Sequence, residues 1–278
     1  MTIFDLTLLL FSASLLAGFL GSLTGLGGGV VIVPLLTLAF KIDIRYAIGA
    51  SLISVIATSC GAAAAYVKEG FTNIRIGMFL ELATTLGAIT GAMIATKVAV
   101  PLIAVVFGAV LIVSAFLSFR KGKEEGLSGR PDSIATRLKL NNTLPTQTGF
   151  RRYYVQRVPQ GFGLTFIAGI LSGLLGIGSG AMKVLAMDQT MKIPFKVSSA
   201  TSNFMIGVTA AASAGIYLNR GYIDPGLAMP VMLGVLAGAT LGTKILIRTK
   251  TEKLRLVFGA VIFLLGIEMI FKGLTEIF

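Results

Sequence analysis

Apolar residues in this chain run together in long blocks instead of alternating or recurring every three to four positions as in soluble strands and amphipathic helices. Six blocks approach the ~20 residues that a helix needs to cross a bilayer: 46–67, 76–96 and 102–119, then 198–218, 227–247 and 254–271. A seventh, 6–23, is 18 residues long and reads either as a span or as one arm of a re-entrant pair. Glycine-rich stretches interrupt what remains. They leave 162–175 and 181–191, segments of 14 and 11 residues that are each too short to cross alone. That pair predicts a broken helical hairpin, whose unpaired backbone is tolerated at membrane depth only against protein or water.

The same order of blocks occurs twice. A shift of 151 residues lays Gly18–Phe116 on Gly169–Ile267 without a gap. Gly25-Leu-Gly-Gly-Gly29 falls on Gly176-Ile-Gly-Ser-Gly180, Lys41-Ile42 on Lys192-Ile193, and Val106-Phe-Gly-Ala-Val110 on Val257-Phe-Gly-Ala-Val261. Ser51/Ser202, Thr58/Thr209, Tyr66/Tyr217 and Gly70/Gly221 match in that register too. Shared composition would scatter such matches over many offsets, so the chain reads as a duplication. The expected organisation is a first membrane repeat over 1–119, a basic linker over 120–160 and a second membrane repeat over 161–278.

Composition makes lipid the solvent. Charged residues are 13% of the chain and hydrophobic ones 55%, against about 25% charged in ordinary soluble domains. The net charge of +12 would suggest nucleic acid in a soluble protein. Here the basic residues gather in the linker and short loops, a distribution that sets topology and leaves no nucleic-acid partner. The linker holds nine Lys/Arg against three Asp/Glu and is expected in the cytoplasm. An odd number of crossings per repeat also places Lys192, Lys196 and the basic loop 248–255 inside, with Lys41 and Arg45 falling outside against the trend. The two repeats are then inverted, and the fold class is an all-α polytopic membrane protein, each repeat a Gly-broken hairpin plus three transmembrane helices. The apolar N-terminus lacks a preceding basic region and is expected to stay in the mature fold.

Several chemistries drop out. The chain has no histidine, and its one cysteine, Cys60, lies in an apolar run and is read as a small buried residue. No metal site, cofactor, disulfide or Walker-type nucleotide loop is expected. A catalytic site lacks both a repeated acidic pair and a nucleophile with its base, so an enzyme is not expected.

Binding chemistry remains at the two breaks. Gly27, Gly28 and Gly29 and their counterparts Gly178, Ser179 and Gly180 each open a short helix. Helix N-termini present free N–H groups and partial positive charge, and two facing one cavity would hold an anion. Alternatively these glycines only let helices pack closely, the role given to Gly87/Gly91 and Gly238/Gly242. Lys183, where the first repeat has Ile32, either charges the anion site, or snorkels to the interface, or pairs with Asp188 or Glu81. Glu81, opposite Met232, either carries a coupling proton or neutralises a lysine. Ser51, Thr201, Ser202 and Asn203 line the start of the next helix, to donate to oxyanions or to bond neighbouring helices.

The motifs Gly21-Ser-Leu-Thr-Gly-Leu-Gly-Gly-Gly29 and Gly173-Leu-Leu-Gly-Ile-Gly-Ser-Gly180, repeated across a basic linker, resemble the TauE/SafE sulfite exporter family over nearly the whole chain. Ser179 and Lys183 depart from the family pattern. The resemblance implies a secondary transporter in the bacterial inner membrane that exports a small anion such as sulfite, sulfoacetate or a related organosulfur oxyanion, and the duplication suggests alternating access in which one repeat rocks against the other. An anion channel or a non-transporting intramembrane scaffold shares the same sequence features.

Overall fold

A long apolar run away from water has to satisfy its backbone internally, and each of the six long runs does so as a helix. The computed structural model describes residues 3–22, 29–68, 70–119, 132–146, 149–246 and 251–276. The first half comprises α1 (Ile3–Ser22), α2 (Gly29–Pro34) continuing into a π-helical turn over Leu35–Ala39, α3 (Ile44–Lys68), α4 (Ile74–Ala95) and α5 (Val100–Phe119). Between the halves lie α6 (Ser133–Arg137) and an antiparallel hairpin of β1 (Asn142–Thr146) and β2 (Gly149–Tyr153). The second half comprises α7 (Val158–Leu175), α8 (Gly180–Leu185) with a π-helical turn over Ala186–Thr190, α9 (Phe195–Asn219), α10 (Pro225–Leu246) and α11 (Thr251–Thr275).

The shift of 151 residues carries α2, α3 and α4 onto α8, α9 and α10 end to end, along with both π-helical turns. Backbone detail repeats in the same register. Lys41 and Lys192 are left-handed at φ 54° and 56°, and Gly70 and Gly221 at 75° and 74°. The Ile42 N–H donates to the Leu36 carbonyl at 3.1 Å, and the Ile193 N–H to Met187 at 3.0 Å. Asn73 and Asp224 cap α4 and α10 with side-chain oxygens. Leu185 stands where the first half has Pro34, so the wide turn belongs to the shared unit and not to proline.

Three expectations change. α7 starts at Val158 instead of 162, because the Asp132 carboxylate accepts the Val158 N–H at 3.0 Å and Pro159 sits where a missing donor costs nothing. At 18 residues α7 is long and apolar enough to cross a membrane, as is α4, so only the second arm of that hairpin is short. Cys60 is exposed on α3, because the helix turns that position outward. The linker, which its Pro, Gly and polar content predicts to lack compact structure, folds over 132–146 and 149–157 into a cap. Ala135, Leu140, Tyr153 and Val155 of this cap share one buried cluster with Ile76, Leu80, Met187, Met191 and Val197.

The most extensive helix seams join the two halves. α1 packs on α10, α7 on α4, and α5 on α11. At α1–α10 a Cβ on Gly18 would strike the Val235 backbone, and one on Gly238 the Leu15 backbone. The equivalent positions meet in α7–α4, where Gly169 faces the Thr84 backbone and Gly87 the Phe166 backbone. Backbone meets backbone at these seams, so the packing role expected of Gly87, Gly91 and Gly238 is the one they have.

Candidate functional site

Each break is followed by an 11-residue half-helix, α2 or α8 plus its π-helical turn, Gly29–Ala39 and Gly180–Thr190. Such a piece leaves its first N–H groups without intrahelical acceptors. In the second break the chain turns through three left-handed residues, Gly176 (φ 67°), Gly178 (69°) and Ser179 (45°). Only glycine adopts the first two without strain. A Cβ at Gly178 would also lie 2.7 Å from Ile206 and 3.2 Å from Val55, so α3 and α9 close on the turn from both sides.

The two breaks come together at Ser51. Its hydroxyl donates to the Gly176 carbonyl at 2.8 Å and lies 3.4 Å from the Gly29 carbonyl. In the second half the equivalent Ser202 hydroxyl donates to the Gly180 carbonyl at 3.0 Å. Both serines thus anchor the first residue of a half-helix, and their oxygens remain free to accept. The Ser179 hydroxyl is buried with no hydrogen-bond partner among the described residues.

Lys183, on α8, is wholly buried. Its ammonium donates to the Thr209 hydroxyl on α9, which donates in turn to Glu81 Oε1 on α4 at 2.7 Å. The Thr85 hydroxyl reaches the same oxygen at 3.2 Å, and Thr84 lies 3.5 Å from Thr209. Glu81, Thr84 and Thr85 share one helix face because they stand three and four positions apart. Glu81 Oε2 is buried and has no partner among the described residues. The chain Lys183–Thr209–Glu81 has no counterpart in the first half, where Ile32 is buried in the Lys183 position and Thr58 bonds its own helix.

The structure therefore brings Gly29, Ser51, Gly178, Ser179, Gly180, Ser202, Lys183 and Glu81 into one buried region. It separates Thr201, whose hydroxyl accepts the Asn73 N–H at 3.0 Å beside the cap. Asn203 is buried next to Ser202 along α9. Gly27 and Gly28 lie outside the described residues. A cavity of ≈ 290 Å³ lies elsewhere, against the far end of the first half-helix, lined by Thr37, Lys41, Asp43, Lys272 and Glu276 among others.

The family description "Sulfite exporter TauE/SafE" matches residues 10–269. The chain belongs to the TauE/SafE sulfite exporter family. Relatives match it over most of its length. A probable membrane transporter protein of Bacillus subtilis, YunE, is 28% identical over 94% of this chain and 96% of its own. A second from the same organism, YdhB, is 28% identical over 85% and 87%. A probable membrane transporter protein of Methanocaldococcus jannaschii is 24% identical over 94% of each chain. No solved structure matches the chain. As a TauE/SafE protein it is a membrane transporter with a small-molecule substrate and an all-α membrane body.

Sequence reasoning about this TauE/SafE chain missed Thr209, Thr84 and Thr85. The available signals were the Thr58/Thr209 identity and three polar residues on one face of an otherwise apolar helix. It also missed Asn73, whose side chain looks like an ordinary helix cap until the cap segment is in place.

Proposed function

We propose that this transporter moves a small oxyanion, such as sulfite, sulfoacetate or a related organosulfur anion, outward across the bacterial inner membrane by alternating access. One observation carries the reading: the two breaks meet at Ser51, between the start of the first half-helix at Gly29 and the turn at Gly176, and a buried lysine that is absent from the duplicate position stands in the half-helix that follows that turn. Two helix N-termini supply N–H donors and partial positive charge, and Ser179 supplies an unused hydroxyl. When the site is empty, Glu81 neutralises Lys183 through Thr209. An arriving anion competes with Glu81 for the Lys183 ammonium. For a singly charged anion, a proton taken up by Glu81 then restores neutrality, so anion and proton cross as one neutral unit.

A multi-pass, inverted arrangement supports this cycle. The Arg45 guanidinium donates to the Val98 carbonyl and Gly49 abuts the Tyr222 carbonyl, which gathers the starts of α3, α5 and α10 at one face. The Asn73 N–H meets Thr201, which gathers the starts of α4 and α9 at the other, under the cap. α3 and α9 then run in opposite directions. The cap face carries Arg75, Arg137, Lys139, Arg151, Arg152, Lys192 and Lys196, which makes it the cytoplasmic one.

The test is flux of sulfite into proteoliposomes containing the full chain. Saturable flux, accelerated by sulfite on the far side and abolished in Lys183→Met, is expected. Flux that rises linearly with sulfite and ignores the counter-gradient makes the protein a channel; no flux with sulfite or its organic analogues removes the substrate class.

A further inference from the structure

The Gln156 N–H donates to the Met191 carbonyl at 3.0 Å, so the folded linker is bonded to the residue that closes the second half-helix. The same linker meets α4 and α9 through one buried residue. Asn73 Nδ2 donates to the Tyr153 hydroxyl at 2.7 Å and the Leu140 carbonyl at 3.0 Å, its Oδ1 caps α4, and its N–H donates to Thr201. Outside this core, the Arg75 guanidinium donates to the Lys139 carbonyl at 3.3 Å.

The duplicate half shows what this arrangement adds. Asp224, which stands where Asn73 does, is exposed and spends its carboxylate on N–H groups of its own helix. Thr201 is matched by Ala50. The fold of a half therefore does not need either bond. The seam under the cap is also chemically distinct from its equivalent. Met187, Met191 and Met205 stand in place of Leu36, Phe40 and Ser54. Methionine, with three rotatable bonds and a polarizable sulfur, suits a surface that parts and repacks. Gly161 at the start of α7 leaves room for the Met191 side chain, since a Cβ there would occupy its place.

We propose that the cap of 132–146 and 149–157 is a gate on the cytoplasmic side of the anion site, which opens with the second half-helix in each transport cycle, and that Asn73 is the positioning residue that latches it. This deepens the transport reading and rests on it for the meaning of the gate. Closed, the gate covers Met187, Met191 and Val197 and holds the half-helix against α4 and α9. Open, it frees the Met191 carbonyl and exposes the α9 start, so an anion can reach Gly180 and Lys183 from the cytoplasm.

The gate is tested in the full chain, reconstituted in liposomes on a Cys60→Ser background. Val197→Cys puts a thiol of nearly the same size under the cap, and its modification by a membrane-impermeant maleimide reports opening. Tyr153→Phe removes one latch hydrogen bond and keeps the ring in the cap core, so the labelling rate should rise about fivefold. If that variant is unstable to heat, Arg75→Ala loosens the same seam from outside the core and should raise labelling in the same direction. Separately, Arg75→Cys with Lys139→Cys, bridged by a short bismaleimide, should stop sulfite flux, while the unbridged pair retains it.

Unchanged labelling in the loosened variants, or undiminished flux in the bridged protein, overturns the gate. The substrate reading fails differently: a parent protein without sulfite flux still opens and closes, and the labelling arm decides the gate alone.

Discussion

A lysine buried without water holds its charge only with a partner, and Lys183 has Glu81 through one hydroxyl. Removing one member of such a pair strands the other. Lys183→Met should therefore lower stability by roughly 3–5 kcal/mol, and adding Glu81→Gln should recover most of that loss. Thermal unfolding in detergent measures both steps, and sulfite binding should stay absent in the recovered double variant. Recovery of binding together with stability would remove Lys183 from the anion site. Thr209→Val should be costly and Thr209→Ser mild, because only the hydroxyl links the pair.

Glycine provides a second residue-scale test. Gly176→Ala forces a left-handed side chain 2.6 Å from Ile48, whereas Gly70→Ala has the same backbone strain but open space around it. Gly70→Ala should cost about 1 kcal/mol from backbone strain alone, with Gly176→Ala clearly worse in the same unfolding measurement.

At the scale of elements, the cap and the start of α7 depend on groups outside the membrane body. Hydrogen bonds from Val158 and then Ile134 hold the Asp132 carboxyl below its ordinary value of 3.8. A depressed acid stabilises the fold above its unfolded value, and that stabilisation disappears as pH falls through the lower folded value. Burial pushes the Tyr153 hydroxyl from 10.0 to about 12. The unfolded chain gives up that proton first, so cap stability should decline from pH 10 to 12. Amide exchange at Val155 and Val158 should show protection flat across neutral pH and falling at both extremes. A protection maximum near pH 7 would mean that other groups set cap stability.

The elements also show how far sequence could reach. All six long runs are helices because a twenty-residue apolar block has one way to satisfy its backbone. The duplication was legible from Gly25–Gly29 and Gly176–Gly180, and it fixed the half-helices and the Ser51/Ser202 anchors in one register. The start of α7 was hidden because it depends on Asp132, remote in sequence until the linker folds. The cap was hidden for the same reason: Leu140, Tyr153 and Val155 are ordinary apolar residues among polar ones, and their core is completed by α4 and the second half-helix. The Lys183–Glu81 link was legible as two anomalies, while Thr209 between them became visible only through geometry.

Across the whole molecule, the tightest seams join helices from different halves. Rocking one sequence half against the other would have to part the glycine contacts of α1 with α10 and α7 with α4. If the half-helices, α3 and α9 move instead, cysteine pairs locked across α1–α10 should leave transport intact, whereas pairs locking α8 to α9 should stop it. The inverted arrangement is checked by labelling single cysteines at Lys139 and Arg220 in sealed cells: Lys139 should react only after permeabilisation and Arg220 before it. The reverse order would turn the whole assembly over.

The α1–α10 seam has a consequence in time. α1 is made well before the surface that receives Gly18, which belongs to Val235 on α10. During synthesis α1 must wait in the bilayer with its glycine face against lipid and the Ser14 hydroxyl, buried and unbonded even in the finished fold, without protein around it. Chains stopped before α10 should therefore present an orphan first helix to membrane quality-control proteases. A helix made later thus decides whether one made earlier survives.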